Sequence, residues 1–412
     1  MGELKEFLTL DDVNVDGKTV FVRFDFNSPI DPETYTILDD LRIRAAIPTL
    51  KVLEKAKVVI GSHQGRPGGD DFSTLKNHVE ILGKYFEGEV RFVEDVMGPK
   101  AIEEIKKLEE GEVLVLDNLR LCSEENLEAP VELLLKTVFV KRLAPLFEVY
   151  VNDAFSTSHR SQASLVAFPE LMVGVTGKVM EKELEVLDMV INRPGKPSVY
   201  LLGGAKVKDK LKVMSYLLKT GKADLVLLGG LLAEVFLKAK GLKLGDVNEA
   251  KLNKYMELLD IAKALLEKYK EKIILPVDLA VEKNGGRSEV SLDNFPLENK
   301  ISDIGSNTIE LYVNFIKNAE LVVAVGPPGR FEVEPFSFGT KRLLEAITKT
   351  KAYKVLGGGH LGGAAEILGL KEKFNHISTG GGAMLTYLSG QPLPAVEALK
   401  NSAKKFKTSC SS

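Results

Sequence analysis

Residues able to do chemistry are concentrated immediately after the apolar runs of this sequence. Arg23-Phe24-Asp25-Phe26-Asn27, His63-Gln64-Gly65-Arg66-Pro67, Asn118-Leu119-Arg120 and the stretch from Asp153 to Arg160 each follow such a run. For one arginine a surface ion pair is the commoner explanation, but several stretches that each bring an Arg or a His to the same edge call for a shared cause. Guanidinium groups grip phosphate and carboxylate in a bidentate way, so His63, Arg66, Arg120 and Arg160 point to a small, doubly anionic substrate. Asp25 and Asn27 add an acceptor and an amide suited to orienting a hydroxyl.

A second set is built from glycine. Ser378-Thr379-Gly380-Gly381-Gly382-Ala383 leads into a helix-prone run, and Val355-Leu356 runs into Gly357-Gly358-Gly359-His360-Leu361-Gly362-Gly363. Without Cβ atoms the backbone N–H groups stay approachable, and a following helix turns its positive end to the same place, which makes an anion cradle. A loop that merely closes a strand–helix unit is the plainer alternative for either one; two in close succession favour phosphate. Leu202-Gly203-Gly204-Ala205-Lys206 also follows an apolar run, and Lys206 and Lys210 are four apart, which predicts one helical face at its positive end, close to nucleotide phosphates. Lysines that only face solvent are the alternative there. Gly326-Pro327-Pro328-Gly329-Arg330-Phe331-Glu332 supplies a rigid turn followed by a carboxylate suited to a ribose diol.

The elements that must hold these residues alternate in type. Thr19–Phe24, Lys57–Ser62, Glu112–Asp117 and Glu148–Asn152 read as buried strands, with apolar stripes at helical spacing between them, one of which Pro48 should kink. Gly174–Gly177 and Asn192–Pro197 read as turn-rich breaks around a single helix bearing Met180, Leu184, Leu187 and Ile191 on one face. Strands then resume at Ser198–Leu202, Asp224–Leu228, Lys272–Leu275, Glu320–Val325 and Tyr353–Leu356, with long helices between, notably Asn248–Lys270. A short helix around Ala395–Leu399 precedes a polar, basic tail. This rhythm predicts an α/β fold of two doubly wound parallel-sheet domains, with ligands beyond the carboxyl ends of the strands. The expected division is 1–175, a connector helix and hinge at 176–195, and 196–392, with the tail 393–412 joining the first domain.

Composition narrows the function classes. The 412 residues carry 55 basic and 58 acidic side chains, so no global field favours nucleic acid or an anionic membrane. Cys122 and Cys410 have neither metal-type spacing nor a disulfide framework, which suits a reducing compartment. The acidic start lacks the features of a signal peptide and no apolar run is long enough to span a bilayer, so a cytoplasmic protein is expected.

From its first strand to its last helix the chain resembles phosphoglycerate kinases. The resemblance rests on Arg23-Phe24-Asp25-Phe26-Asn27-Ser28-Pro29, Ser62-His63-Gln64-Gly65-Arg66-Pro67, Val151-Asn152-Asp153-Ala154-Phe155, Leu202–Val207, Gly326-Pro327 with Phe331-Glu332, and Ser378–Ala383, in that order. It implies reversible transfer of the acyl phosphate of 1,3-bisphosphoglycerate to ADP, giving 3-phosphoglycerate and ATP, with Mg2+ on the nucleotide. It further implies that the N-terminal domain holds the phosphoglycerate, through Asp25, Asn27, His63, Arg66, Arg120 and Arg160, with Arg42 as the catalytic arginine. By the same resemblance Lys206 meets the migrating phosphoryl group, Lys210 contacts nucleotide phosphate and Glu332 the ribose. Gly204, Gly357, Gly358, Gly359, Thr379, Gly380, Gly381 and Gly382 form the nucleotide loops, and Gly305 falls near the adenine pocket. Ligands on separate domains imply hinge closure, which also expels water.

Two departures bear on the metal. The family commonly has an Asp after the first triple glycine and an Asn before the Gly-Pro turn, whereas this chain has His360-Leu361 and Val325. A histidine is a poor ligand for a hard cation, so His360 is read as a neighbour of phosphate or a structural residue, and the metal ligands are left unassigned. A rival reading, a dinucleotide-dependent dehydrogenase, rests on Gly357-x-Gly359-x-x-Gly362 after a strand, but the acidic ribose anchor expected ~20 residues on is missing. No G-x-x-x-x-G-K-[ST] run occurs, which disfavours a P-loop kinase. A non-catalytic binder would not need Arg42, Lys206 and Glu332 together.

Overall fold

The computed structural model describes residues 6–192 and 194–406. It divides into two compact units, Met1–Glu185 with Pro392–Ser412, and Val186–Gln391.

Seven strands form the sheet of the first unit: β1 (Leu8–Thr9), β2 (Thr19–Arg23), β3 (Lys57–Gly61), β4 (Val90–Val93), β5 (Val113–Leu116), β6 (Val149–Asn152) and β7 (Val173–Thr176). Their order is β1-β7-β6-β2-β3-β5-β4, and every pair is parallel. Strand parity divides the core. Val20, Val22, Val58, Ile60, Val149 and Val151 pack on one face, while Phe21, Val59, Leu114 and Tyr150 pack on the other. Runs apolar at every position are what a sheet covered on both faces requires, and they are the reason these strands are legible in the sequence. Pro48 acts as foreseen: one helix ends at Arg44, and the next, Ile47–Val52, takes the proline into its first turn, where its missing N–H costs nothing.

Of residues 174–177, read from the sequence as a turn-rich break, 174–176 instead belong to strand β7, set between β6 and β1. Gly174 is there for proximity rather than for bending. A Cβ on it would stand 2.7 Å from Pro169 Cβ and 3.2 Å from Leu399 Cδ2, and its N–H donates to Ser402 Oγ at 2.8 Å. The C-terminal helix is accordingly longer than the pattern indicated, Pro394–Phe406, and lays Ala395, Ala398 and Leu399 onto the first unit's core. The connector helix, Lys178–Asn192, runs where its apolar stripe put it.

In the second unit β8 (Ser198–Leu202), β9 (Leu225–Leu228), β10 (Ile273–Ile274), β14 (Leu321–Val325), β15 (Tyr353–Leu356) and β16 (His376–Ile377) form a parallel sheet in the order β10-β9-β8-β14-β15-β16. A further antiparallel sheet stands beside it, from β11 (Asp278–Lys283), β12 (Gly286–Ser291) and β13 (Ile301–Ile304), in the order β12-β11-β13. Its hairpin is turned by Asn284 and Gly285, both in the left-handed region with φ of 51° and 75°. That dipeptide is the strongest short-range hairpin signal there is, yet the sequence reading, which expected parallel sheets alone, passed over it. The expected long helix at 248–270 is also broken, into Asp246–Leu252, a 3₁₀ stretch Asn253–Leu258, and Leu259–Lys268. Leu252 and Leu258 are both buried, and six residues separate them. At 3.0 residues per turn they share a face, whereas in an α-helix they would not.

Candidate active site

In the first unit the chemistry gathers at the carboxyl ends of β2, β3, β5 and β6. Arg23, the last residue of β2, is 1% exposed, and the chain leaving it carries Asp25 and Asn27 over the sheet edge. Asp25 accepts hydrogen bonds from the Arg42 guanidinium and from the Ser156 hydroxyl, and its carboxylate lies 3.8 Å from His63 Nδ1. Burial by itself would raise the Asp25 carboxyl, but Arg42 first, with the Ser156 hydroxyl and Arg23, outweighs burial and holds it at about 2. It is therefore an anion whose charge is already committed to Arg42.

Burial drives His63 well below the ordinary imidazole value, and the surrounding Arg23, Arg120 and Arg42 reinforce this against the attraction of Asp25. The ring is neutral. A guanidinium can only donate, and Arg23 stands 3.2 Å from His63 Nδ1, so Nδ1 is the acceptor and the proton rests on Nε2. Arg23 is itself oriented from behind: its Nε donates to Ser164 Oγ at 2.8 Å, and Ser164 donates both its backbone N–H, at 2.9 Å, and its hydroxyl to the buried Glu125.

Asn27 Oδ1 accepts from the Gly65 N–H at 2.7 Å, and the Arg120 guanidinium donates to the Gly65 carbonyl. Gly65 has a φ of +65°, and a Cβ there would press within 2.6 Å of the Phe72 nitrogen, so this loop admits only glycine. Arg120 is lowered to about 10, first by burial and then by the like charges of Arg160, Arg23 and Arg66. Four guanidinium groups thus share one neighbourhood, which an anion with more than one negative charge would relieve. Arg66 is exposed, while Arg160 is 3.8 Å from Glu128 with its Nε buried and lacking a hydrogen bond among the described residues.

In the second unit four glycine loops stand at the carboxyl ends of β8, β14, β15 and β16. Gly203 and Gly326 are pressed together: a Cβ on Gly203 would meet the Pro327 carbonyl carbon at 2.7 Å, and one on Gly326 would meet Lys210 Nζ at 2.9 Å. Lys206 and Lys210 do not share a helical face. Lys206 is the exposed N-cap with non-helical φ and ψ, and the helix begins only at Val207. Lys210, in its first turn, is 3% exposed, and burial followed by repulsion from Lys206 lowers it to about 8. β15 and β16 are hydrogen-bonded neighbours, so the helices His360–Ile367 and Gly381–Leu388 start side by side, capped by Gly359 and Gly380. Gly358 packs on the Ser378 carbonyl, and the Gly380 N–H donates to Ser378 Oγ at 3.2 Å. Thr379 lies between these two residues and Gly382 is in the first turn of the second helix.

A pocket of 320 Å³ opens between these loops and the antiparallel sheet. Gly204, Glu332 and His360 line it, together with Pro327 and Pro328. Glu332 and His360 stand 3.6 Å apart with side chains 59% and 74% exposed, so they belong to its mouth. Gly305 lies outside the lining, as the N-cap of the helix Ser306–Lys317, against the Asp278 side chain. The sequence reading quoted Arg23 and Ser156 within their stretches of the first unit without giving either a role, and it passed over Glu234, Lys251 and Ser302 in this pocket. One signal for Glu234 was available: a lone acid inside the apolar run Leu231–Leu237. Among the described residues no group of three or more His, Cys, Asp or Glu is placed to hold a metal ion, and no helix is long and apolar enough to cross a membrane.

The family model for phosphoglycerate kinase matches residues 10–391. The phosphoglycerate kinase of Methanothermus fervidus is 44% identical over 404 residues, covering 97% of this chain and 98% of that protein. That of Sulfurisphaera tokodaii is 45% identical over 402 residues, 95% of each. Among solved structures, phosphoglycerate kinase from Pyrococcus horikoshii OT3 superposes with a TM-score of 0.90 at 42% identity, over 97% of this chain and 100% of that one. The enzyme from Coxiella burnetii gives 0.80 at 32% identity, over 96% and 100%.

Proposed function

The chain belongs to the phosphoglycerate kinase family, and so catalyses phosphoryl transfer between 1,3-bisphosphoglycerate and ADP in glycolysis; from this premise we propose which residues carry the reaction. Asp25, Asn27, His63, Arg66, Arg120 and Arg160 bind 3-phosphoglycerate in the first unit. Lys206, Lys210, Glu332, His360 and the glycine loops bind the nucleotide in the second. The observation that supports this most is the cluster of guanidinium groups around a neutral His63, in which Asp25 holds Arg42 in place.

The chemistry requires no side-chain nucleophile. In the direction of ATP use, a carboxylate oxygen of 3-phosphoglycerate attacks the γ-phosphorus in line, the bond to the β–γ bridging oxygen breaks, and ADP leaves with the electron pair. The Nε2–H of His63 is a donor to the acid substrate that never competes as an acid, because the ring stays neutral. Arg42 and Lys206 stabilise charge on the equatorial oxygens, and the N–H groups of the Gly357–Gly359 and Gly380–Gly382 loops receive the nucleotide phosphates.

Magnesium, when bound, neutralises phosphate charge. With His360 and Val325 where the family offers Asp and Asn, phosphate oxygens and water would hold the ion. Ligands assigned to separate units must be brought together, so domain closure about the connector helix is part of the proposal. A cytoplasmic location, and the lack of any nucleic-acid partner, fit the near-balanced charge and the two unpatterned cysteines. A coupled assay with ATP, Mg2+ and 3-phosphoglycerate tests the assignment: wild-type turnover is expected, with loss in Arg42→Ala. Full turnover in that variant would remove Arg42 from the catalytic role.

A further inference from the structure

Glu125 is a buried carboxyl group in the first unit to which the reaction itself assigns no task. It follows β5 in the 3₁₀ turn Ser123–Asn126 and is 1% exposed, as is Arg23 at the end of β2. Between the two stands Ser164, buried in the short helix Ala163–Val166 beyond β6. Ser164 donates its backbone N–H to Glu125 Oε2 at 2.9 Å and its hydroxyl to Oε1, while Arg23 Nε donates to the same hydroxyl oxygen at 2.8 Å. The Ser164 carbonyl accepts from the buried Tyr150 hydroxyl at 2.7 Å, so the serine is tied through its backbone on both sides. A direct ion pair would compensate the two buried charges; a hydroxyl set between them adds direction.

Donor counting fixes that direction. Arg23 Nε can only donate, so the serine oxygen accepts there and its single hydrogen goes to Glu125. Both Glu125 oxygens therefore accept, as those of a carboxylate do. Burial pushes the carboxyl up, while Arg23, the two bonds from Ser164 and Arg120 act against burial. The guanidinium fork is planar and rigid. Attached through Nε to Ser164 and through Nη1 to the Phe24 carbonyl, it has its plane set, and Nη2 then meets His63 Nδ1 at 3.2 Å. Every link from Glu125 to His63 is thus a buried hydrogen bond. The turn that bears Glu125 is also tied to Arg120, whose carbonyl accepts from Asn126 Nδ2 at 3.0 Å.

We propose that Glu125 is a positioning residue for the acid-substrate site, acting through Ser164 and Arg23 to hold His63 as the Nε2–H tautomer. Which imidazole nitrogen keeps the proton is set by the bond the other one makes, and here that bond comes from Arg23. Without the Glu125 carboxylate the serine hydroxyl can turn, the guanidinium loses its anchor at Nε, and Nδ1 loses the donor that keeps the proton on Nε2. The effect on the reaction rests on the proposed use of His63 Nε2–H as a donor to 3-phosphoglycerate, whereas the tautomer is read without substrate.

Glu125→Gln and Ser164→Ala, each in the full chain, test this by nitrogen-15 NMR of the His63 ring at neutral pH and by steady-state kinetics; either variant suffices if the other does not fold. The chain has 5 histidines, so the His63 signals are identified by their loss in His63→Gln. The amide of Glu125→Gln keeps the volume but turns a donor toward one of the two Ser164 donors. Wild type should show the Nε2–H tautomer alone. The variants should show both tautomers, with the KM for 3-phosphoglycerate raised roughly ten-fold, that for ATP unaltered and kcat within about two-fold of wild type. In a His63→Gln background, Glu125→Gln should raise that KM no further. Variants that melt lower yet keep the Nε2–H tautomer and the wild-type KM would overturn the proposal and leave Glu125 a purely structural group. An equal rise in the KM for ATP, the mark of general loosening, would also overturn it. Mixed tautomers with an unchanged KM for 3-phosphoglycerate would uphold the hold on His63 while refuting its role as donor to the acid substrate.

Discussion

Lys210 offers a direct measure of what the proposed phosphate site costs in stability. The residue is 3% exposed and its ammonium group lies against the Gly326 turn, with only Asp209 acting to keep it charged. Burial, then Lys206, lowers it from 10.5 to about 8. At 1.36 kcal/mol for each pH unit this amounts to about 3 kcal/mol of unfavourable charge burial at neutral pH. Lys210→Met keeps the length and removes the charge, so the second unit should become more stable by about 3 kcal/mol, a rise of roughly 6 °C or more in melting temperature for a domain of this size, while phosphoryl transfer collapses. The sign with pH follows from proton counts. Between about 8 and 10.5 the unfolded chain still holds the proton that the folded lysine has released, so wild-type stability climbs through that window and closes the gap to the variant. Calorimetric scans at pH 7 and at about pH 10, without nucleotide, provide the test. A variant less stable than wild type at pH 7, or a gap that does not narrow with rising pH, would refute the reasoning. ADP should also pull a proton onto Lys210 near pH 9, seen as a dependence of the binding heat on buffer ionisation enthalpy.

Other outcomes follow from the same geometry. Lys206→Ala, at an exposed N-cap, should lower kcat by roughly 10²-fold while changing the KM for ATP only slightly, and stopped-flow or steady-state rates will show whether the loss falls on kcat. Arg66→Ala, an exposed residue whose removal should leave stability within about 0.5 kcal/mol, should raise the KM for 3-phosphoglycerate roughly ten-fold and leave that for ATP unaltered; the same direction is expected for Arg160→Ala. Nitrogen-15 NMR of His63 should report the Nε2–H tautomer with no titration from about pH 8 down to about pH 5.5, and a ring that protonates near its ordinary value would contradict the Arg23 contact.

The sequence by itself determined the parts of this protein whose physical cause is local. Strands buried on both faces must be apolar at nearly every position, so Thr19–Arg23, Lys57–Gly61 and Leu321–Val325 announced themselves. Even Asn284-Gly285 was a local signal for a hairpin. Properties that depend on distant partners were decided only by tertiary structure. Gly174 looked like a turn because nothing nearby in the chain says that Leu399 and Ser402 will need its missing side chain. His63 has a definite tautomer only because Arg23, forty positions away, donates to it. Lys206 and Lys210 share a spacing but not an environment, since the helix starts between them and only one is buried.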